Sequence, residues 1–332
     1  LSKMSFFNGL SDDEVRDILS IKDDKLNYTL SALRFAKIAN GVSKMHGEVS
    51  NEMWSDFDDI CEIKSITNSQ NKKYWKDDQL ETAYENKDIK GLLARKKEMK
   101  RQLFKIVADQ SGKIFDENVL TLVWARRYAG YKRADLITAD AERFLKLVKS
   151  TEYPIQIIWA GKPYPEDYSA IDTFNSLYWK TLPFPNCTIL TGYELGLSAA
   201  LKKGSDVWLN NPRLYREASG TSGMTAAMNG SVNFSIPDGW IPEFAKHAEN
   251  SFIIPPADRA LAYHEQNEIE CQSLLDILEN DILPTYYDKP KLWAQIMMNG
   301  MRDVSPEFDS DRMAAEYYTA LFNKEVLFPE TV

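Results

Sequence analysis

The sequence predicts an α/β protein built on a doubly wound parallel sheet with flanking helices. Three observations carry this. Short, almost wholly apolar runs of strand length recur between residues 119 and 235. Segments with helical spacing lie between successive runs, which is the alternation of β-α-β units and their right-handed crossovers. Small or polar residues close the runs, as Gly161 does after Ile155-Gln156-Ile157-Ile158-Trp159-Ala160.

Taken in order, residues 23–54 read as one long helix. Leu26, Leu30, Leu33, Ala36, Ile38 and Val42 fall near helical spacing, and Gly41 and Gly47 loosen it. Residues 55–75 read as irregular. A second helix is predicted over 88–107. Its cations, Lys90, Arg95, Lys96, Lys97, Lys100, Arg101 and Lys105, read as a solvated face. Strands are then predicted at 119–125, 155–161, 187–190, 205–209 and 231–235. Helices are predicted at 134–149, 167–180, 195–203 and 221–229. After Pro255-Pro256 the pattern gives three more helices, at 261–283, 292–301 and 309–322. The expected division is a helical remainder over 1–66, a nucleotide-fold-like domain over 67–255 and C-terminal helices over 256–332 that pack back.

Composition bounds the function. The 332 residues carry 49 acidic and 40 basic side chains, a net charge of −9. A general nucleic-acid binder needs the opposite balance. Cys61, Cys187 and Cys271 are odd in number and far apart. They suggest neither a disulfide framework nor a metal site, and fit reduced thiols in a cytoplasmic protein. No run is apolar enough to span a bilayer, and no signal peptide opens the chain. The chain starts at Leu1 rather than Met, so a fragment of something longer is expected.

In a doubly wound sheet, ligands bind outside the carboxyl ends of the strands. After the first strand comes Arg126-Arg127-Tyr128-Ala129-Gly130-Tyr131-Lys132-Arg133, four cations and a glycine. Guanidinium forks, an ammonium and a following helix N-terminus suit a phosphate or diphosphate. The competing reading is a basic loop on an acidic protein. Gly161-Lys162-Pro163 adds a cation at the same edge. Asn210-Asn211-Pro212-Arg213 leads to Glu217-Ala218-Ser219-Gly220-Thr221-Ser222-Gly223-Met224, a small-residue loop whose N–H groups can approach a phosphate or a sugar hydroxyl. A connector with Ser/Thr caps explains it as well. The residues alone lead to a phosphorylated ligand and no sugar.

On these residues the chain resembles the α-glucan (glycogen/starch) phosphorylases. Arg126-Arg127, with Tyr131-Lys132-Arg133, is similar to the family's K/R-R-x-x-x-Y-K-R phosphate loop. Glu217-Ala218-Ser219-Gly220-Thr221 is similar to its E-A-S-G-T loop. Gly41-Val42-Ser43, His46-Gly47-Glu48, Thr67-Asn68, Asn229-Gly230 and Asp238-Gly239 add ordered agreement, and Pro284-Thr285-Tyr286-Tyr287-Asp288 resembles the shorter bacterial members. The resemblance implies the C-terminal domain of a two-domain GT-B glycosyltransferase. Glu217, Ala218, Ser219 and Gly220 would hold the glucosyl unit. Arg127, Lys132 and Thr221 would hold phosphate, with Arg127 and Lys132 stabilising charge as the glycosidic bond breaks. Tyr193 would lie beside the cofactor pocket.

Two departures stand out. The family binds pyridoxal phosphate through a lysine four residues after the threonine of E-A-S-G-T, and here that position is Thr225. A hydroxyl forms no imine, so no covalent cofactor is expected and any pyridoxal phosphate would sit unbonded. Lys202 and Lys203 do not align as substitutes. The family's N-terminal domain, with its histidine and most of its acceptor groove, is largely missing. His46 reads as a packed or capping residue, and His247 and His264 fall in no motif.

The resemblance implies transfer of glucosyl units between an α-1,4-glucan and phosphate. A nucleotide-sugar glucosyltransferase of the glycogen synthase type, free of pyridoxal phosphate, is one alternative. A non-catalytic glucan-binding or regulatory module is another. The expected partners are an α-glucan, phosphate or a sugar phosphate, the missing domain and a second copy of the chain. No metal, nucleic acid or membrane is expected.

Overall fold

The computed structural model describes residues 9–19, 21 and 25–322. The chain begins with α1 (Asp12–Ile18), α2 (Tyr28–Phe35), β1 (Ile38–Gly41), α3 (Lys44–Met53), β2 (Glu62–Ser65) and α4 (Lys72–Trp75). β1 and β2 pair in parallel as a two-stranded sheet. This corrects the single helix expected over 23–54, whose positions 23 and 24 lie outside the described residues. It also corrects the irregular reading of 55–75 and the purely helical reading of 1–66. The helical spacing belongs to two short helices with a strand between them. Asn27 caps α2 by accepting from the Leu30 N–H, and Ser43 caps α3 by accepting from the His46 N–H, so each side chain starts its helix afresh. Gly41 packs against α3 so closely that a Cβ there would lie 2.5 Å from the Gly47 nitrogen.

Next come α5 (Asp78–Glu85) and α6 (Ile89–Ser111). α6 starts on Asp88, whose carboxylate accepts from the Gly91 N–H, and stops at Gly112, at φ +68°. Its cations do not all face water, which corrects the solvated-face reading. Lys96 and Lys100 are buried. Lys96 Nζ donates to Lys203 O, Asn229 O and Ser231 Oγ, at 2.8, 2.9 and 3.1 Å. Lys100 Nζ donates to Val119 O and Asp206 Oδ2. A buried ammonium needs such acceptors, and no sequence periodicity reports them.

The main sheet has six strands, β3 (Leu120–Ala125), β4 (Ile155–Ala160), β5 (Cys187–Leu190), β6 (Val207–Asn210), β7 (Val232–Ser235) and β8 (Ser251–Ile253). Their spatial order is β5-β4-β3-β6-β7-β8, all parallel. The five expected strands are present, and β8 is a sixth, too short to give a periodic signal. Both faces are apolar. Leu120, Leu122 and Trp124 of β3 join one core, and Val123 and Ala125 join the other, as alternation on a strand covered on both faces requires.

The crossovers include α7 (Ala141–Lys149), α8 (Tyr168–Thr181), α9 (Leu195–Gly204) and α10 (Ser222–Met228), followed by α11 (Ile241–Phe244). The helix expected over 134–149 is a 3₁₀ turn at Leu136–Thr138 followed by α7. The C-terminal run is α12 (Tyr263–Ile277), α13 (Leu283–Asp288), α14 (Pro290–Glu307) and α15 (Ser310–Phe322), with a π-turn, Leu278–Ile282, between α12 and α13. No helix among the described residues is long and apolar enough to cross a membrane.

Candidate functional site

Strand order reverses between β3 and β6, and doubly wound sheets bind their ligands outside the carboxyl ends of the strands at such a switch point. β3 delivers Arg126 and β6 delivers Asn210. The buried Arg126 guanidinium hydrogen-bonds Asn210 Oδ1 and, at 3.3 Å, Leu209 O. Its Nε is also buried and has no partner among the described residues. The ends of β3 and β4 are held close by Gly161, at φ +129°, where a Cβ would lie 2.1 Å from Arg126 O. Only glycine allows that approach.

The four cations of this loop separate. Lys132, at the end of the 3₁₀ turn Gly130–Lys132, places Nζ 2.7 Å from Glu217 Oε2. Burial, and then Arg126 beside it, holds the Lys132 ammonium below its ordinary pKa. Arg127 is exposed. Arg133 is buried and structural. It donates to Asn211 O at 3.0 Å and Pro212 O at 2.8 Å, and it pairs with Glu270. The inward-facing pair is therefore Arg126 and Lys132. No α-helix follows this loop directly, so the helix N-terminus expected to add its dipole there does not form.

The small-residue loop is anchored from two sides. Asp238 Oδ2 accepts from the Arg216 and Glu217 N–H groups at 3.1 and 2.9 Å. Burial raises the Asp238 pKa, and these N–H bonds oppose it. Gly239, at φ +61°, presses on the loop so closely that a Cβ would lie 2.5 Å from Ser219 O and 2.9 Å from Glu217 O. From the other side, Ser43 Oγ donates to Ala218 O at 2.6 Å. Glu217, Gly220 and Thr221 are half-buried, Ala218 is exposed and Ser219 is buried. The structure thus brings Glu217 to Thr221, Lys132 and Arg126 to one crevice.

Tyr193, just before α9, takes a 3.3 Å hydrogen bond from Ser198 Oγ. Burial raises its pKa, and Arg126 opposes this through its charge. Thr225 is buried inside α10, and its hydroxyl donates to Ser222 O at 3.0 Å. It offers no free group to a ligand. The residues fit the phosphate of a pyridoxal-phosphate-class cofactor at one point, the unpartnered Arg126 Nε beside Lys132. Among the described residues no cluster of three or more His, Cys, Asp or Glu could hold a metal.

Three residues of this site were missing from the sequence-predicted set. Arg126 is one place before the predicted Arg127, and the alternation of side chains at a strand end was the available signal. Asp238 stood in a recognised segment without a role. Ser43 likewise stood in a recognised segment without a role, because its contact is 175 residues away in sequence.

No protein-family model matches the chain. An uncharacterised protein of Methanocaldococcus jannaschii is 44% identical over 323 residues, covering 97% of this chain and 60% of that protein. Maltodextrin phosphorylase of Thermococcus litoralis is 32% identical over an alignment of 361 residues, covering 96% and 43%. Glycogen phosphorylase of Aquifex aeolicus is 31% identical over 346 residues, covering 90% and 49%. The chain spans about half the length of these relatives.

Proposed function

We propose, from the premise that the chain belongs to the α-glucan phosphorylase family as its C-terminal part, that it supplies the phosphate side of a glucosyltransferase acting between α-1,4-glucan and phosphate. The observation that carries this is the Lys132–Glu217 pair set beside the unpartnered Arg126 Nε at the switch point. A phosphate entering the crevice competes for Lys132 and fills the Arg126 position. Glu217, freed of its ammonium, then accepts from sugar hydroxyls, while Gly220 keeps the loop backbone open to the glucosyl ring. Arg126 and Lys132 stabilise the charge that develops as the glycosidic bond breaks. Bound pyridoxal phosphate would supply a phosphate group for proton transfer beside these cations.

The test is release of glucose 1-phosphate from maltodextrin and inorganic phosphate by the full-length protein, with and without added pyridoxal phosphate. Release in either condition supports the reading, and none in both overturns it. The burial of Thr225 favours one second reading, in which Arg126 and Lys132 hold the diphosphate of a nucleotide sugar. Heat on titration with uridine- or adenosine-diphosphate glucose, without phosphorolysis, would select it.

A further inference from the structure

Three lysines are buried among the described residues, Lys96, Lys100 and Lys202. Lys96 and Lys100 spend their protons on carbonyl, hydroxyl and carboxylate oxygens. Lys202 has no such acceptor among the described residues. Its Nζ lies 3.8 Å from the centroid of the Trp75 ring, and neighbouring Lys203 is the one that reaches Asp77, at 4.0 Å. The ring face holds the amine in place and by itself favours the ammonium, but desolvation without a counter-ion favours the neutral amine, the form in which a buried lysine attacks carbonyl compounds.

The position of Lys202 connects it to the site. α9 carries Ser198 one turn before it, on the same side of the helix, about 6 Å away between Cβ atoms. Ser198 Oγ bonds the Tyr193 hydroxyl, and Tyr193 feels the charge of Arg126. Tyr193 and Ser198 are thus joined to each other, Tyr193 senses Arg126 through its charge, and Lys202 follows Ser198 by one turn of the same helix. α10 packs beside α9. Asn229 Nδ2 donates to both Trp75 O and Thr225 O, at 2.9 and 2.8 Å. Lys202 therefore stands against the tryptophan that is tied to the segment carrying Thr225.

We propose that Lys202 captures the aldehyde of a pyridoxal-phosphate-class ligand, making from the adjacent helix the bond that Thr225 cannot make. This rests on the phosphorylase-type reading of the crevice. The Lys202 nitrogen bonds to the aldehyde carbon, both amine protons leave with the carbonyl oxygen as water, and a C=N bond remains. No oxidant or reductant enters. Burial alone, with no charged group opposing it, holds the Lys202 ammonium down at about 8, so neutral amine is present near neutral pH.

The test uses the whole chain with pyridoxal 5′-phosphate, followed by borohydride reduction and peptide mass mapping. Pyridoxal without the phosphate serves as a second probe. The expected result is one imine absorbance band per chain, a reduced adduct on the peptide holding Lys202, and weaker labelling by pyridoxal. Lys202→Arg and Lys202→Met should both lose the band and the adduct, and Lys203→Met should keep them. An adduct of equal yield in Lys202→Arg, or one spread over surface lysines, overturns the assignment. Cofactor retained through dialysis with no reduced adduct also overturns it, and leaves the phosphate seat at Arg126 standing. Phosphorolysis measured separately reports on the activity, so failure of Lys202 and failure of the phosphorylase reading give different results.

Discussion

Lys132 Nζ and Glu217 Oε2 meet at 2.7 Å across the mouth of the sheet, although 85 residues separate them in the chain. Both side chains are largely out of solvent, at 12% and 13% exposure. A pair in that setting is a local charge balance, and removing one member leaves the other uncompensated. The pair also places a cation where an anion can displace the carboxylate.

Lys132→Met is therefore expected to cut the rate of glucose 1-phosphate formation by about 10²-fold, the usual size of such an electrostatic deletion. The loss should appear in kcat, with the KM for glucan little changed, if Lys132 meets the phosphate as proposed. Steady-state kinetics on the full-length protein check this. A purely raised glucan KM would mean that Lys132 serves the sugar instead.

Gly239 is expected to be intolerant of even one methyl group. Its Cβ would fall 2.5 Å from Ser219 O, on backbone that cannot swing aside, and its φ is +61°. Gly239→Ala should cost about 1–3 kcal/mol in stability and displace the loop from Glu217 to Gly220. Gly196→Ala on α9 is the control, since a Cβ there meets nothing within 4 Å. It should be neutral or stabilising by about 0.5–1 kcal/mol. Denaturant titrations of both variants separate these outcomes.

The sheet could be read from the sequence because its strands are covered on both faces, so β3 to β6 appear as largely apolar runs, each with one polar residue, while β7 alternates as Val232-Asn233-Phe234-Ser235. The N-terminal segment could not. Leu30, Leu33, Ile38 and Val42 keep near-helical spacing while the chain turns twice, at Asn27 and Ser43, and the turns depend on side-chain caps. The strand ends pointed to the candidate site, but the burial and partners of its cations could not be read there. Arg126, Arg127 and Arg133 look alike in sequence. Burial and partners separate them, and those partners, Asn210, Asn211 and Glu270, come from distant segments.

Thr225 stands where the resemblance to the phosphorylases would place a lysine, yet its hydroxyl bonds its own helix, at Ser222 O. Thr225→Val keeps the shape and deletes only that local bond. It should change stability by about 1 kcal/mol or less, since the carbonyl it releases stays within a helix. Turnover of the full-length protein should stay within about threefold of the parent, a difference of roughly 0.6 kcal/mol. A larger drop in rate would mean that the Thr225 hydroxyl takes part in the chemistry.

His46 ties the segment below the site to pH. Its Nδ1 accepts from the Val42 N–H at 3.0 Å, which needs the neutral ring. Burial holds its pKa below the ordinary value of 6.5. The unfolded chain therefore binds the proton first as pH falls. The stability from this group is fully present above about pH 6.5, and it drains away as pH drops through the folded pKa. Gln at this position does not titrate. The gap in melting temperature between the parent and His46→Gln should thus be largest near pH 7 and shrink on acidification toward pH 5. A constant gap would mean that His46 does not titrate in folding. A gap that widens would mean that the protonated ring is the one the fold prefers, with Val42 bonded elsewhere.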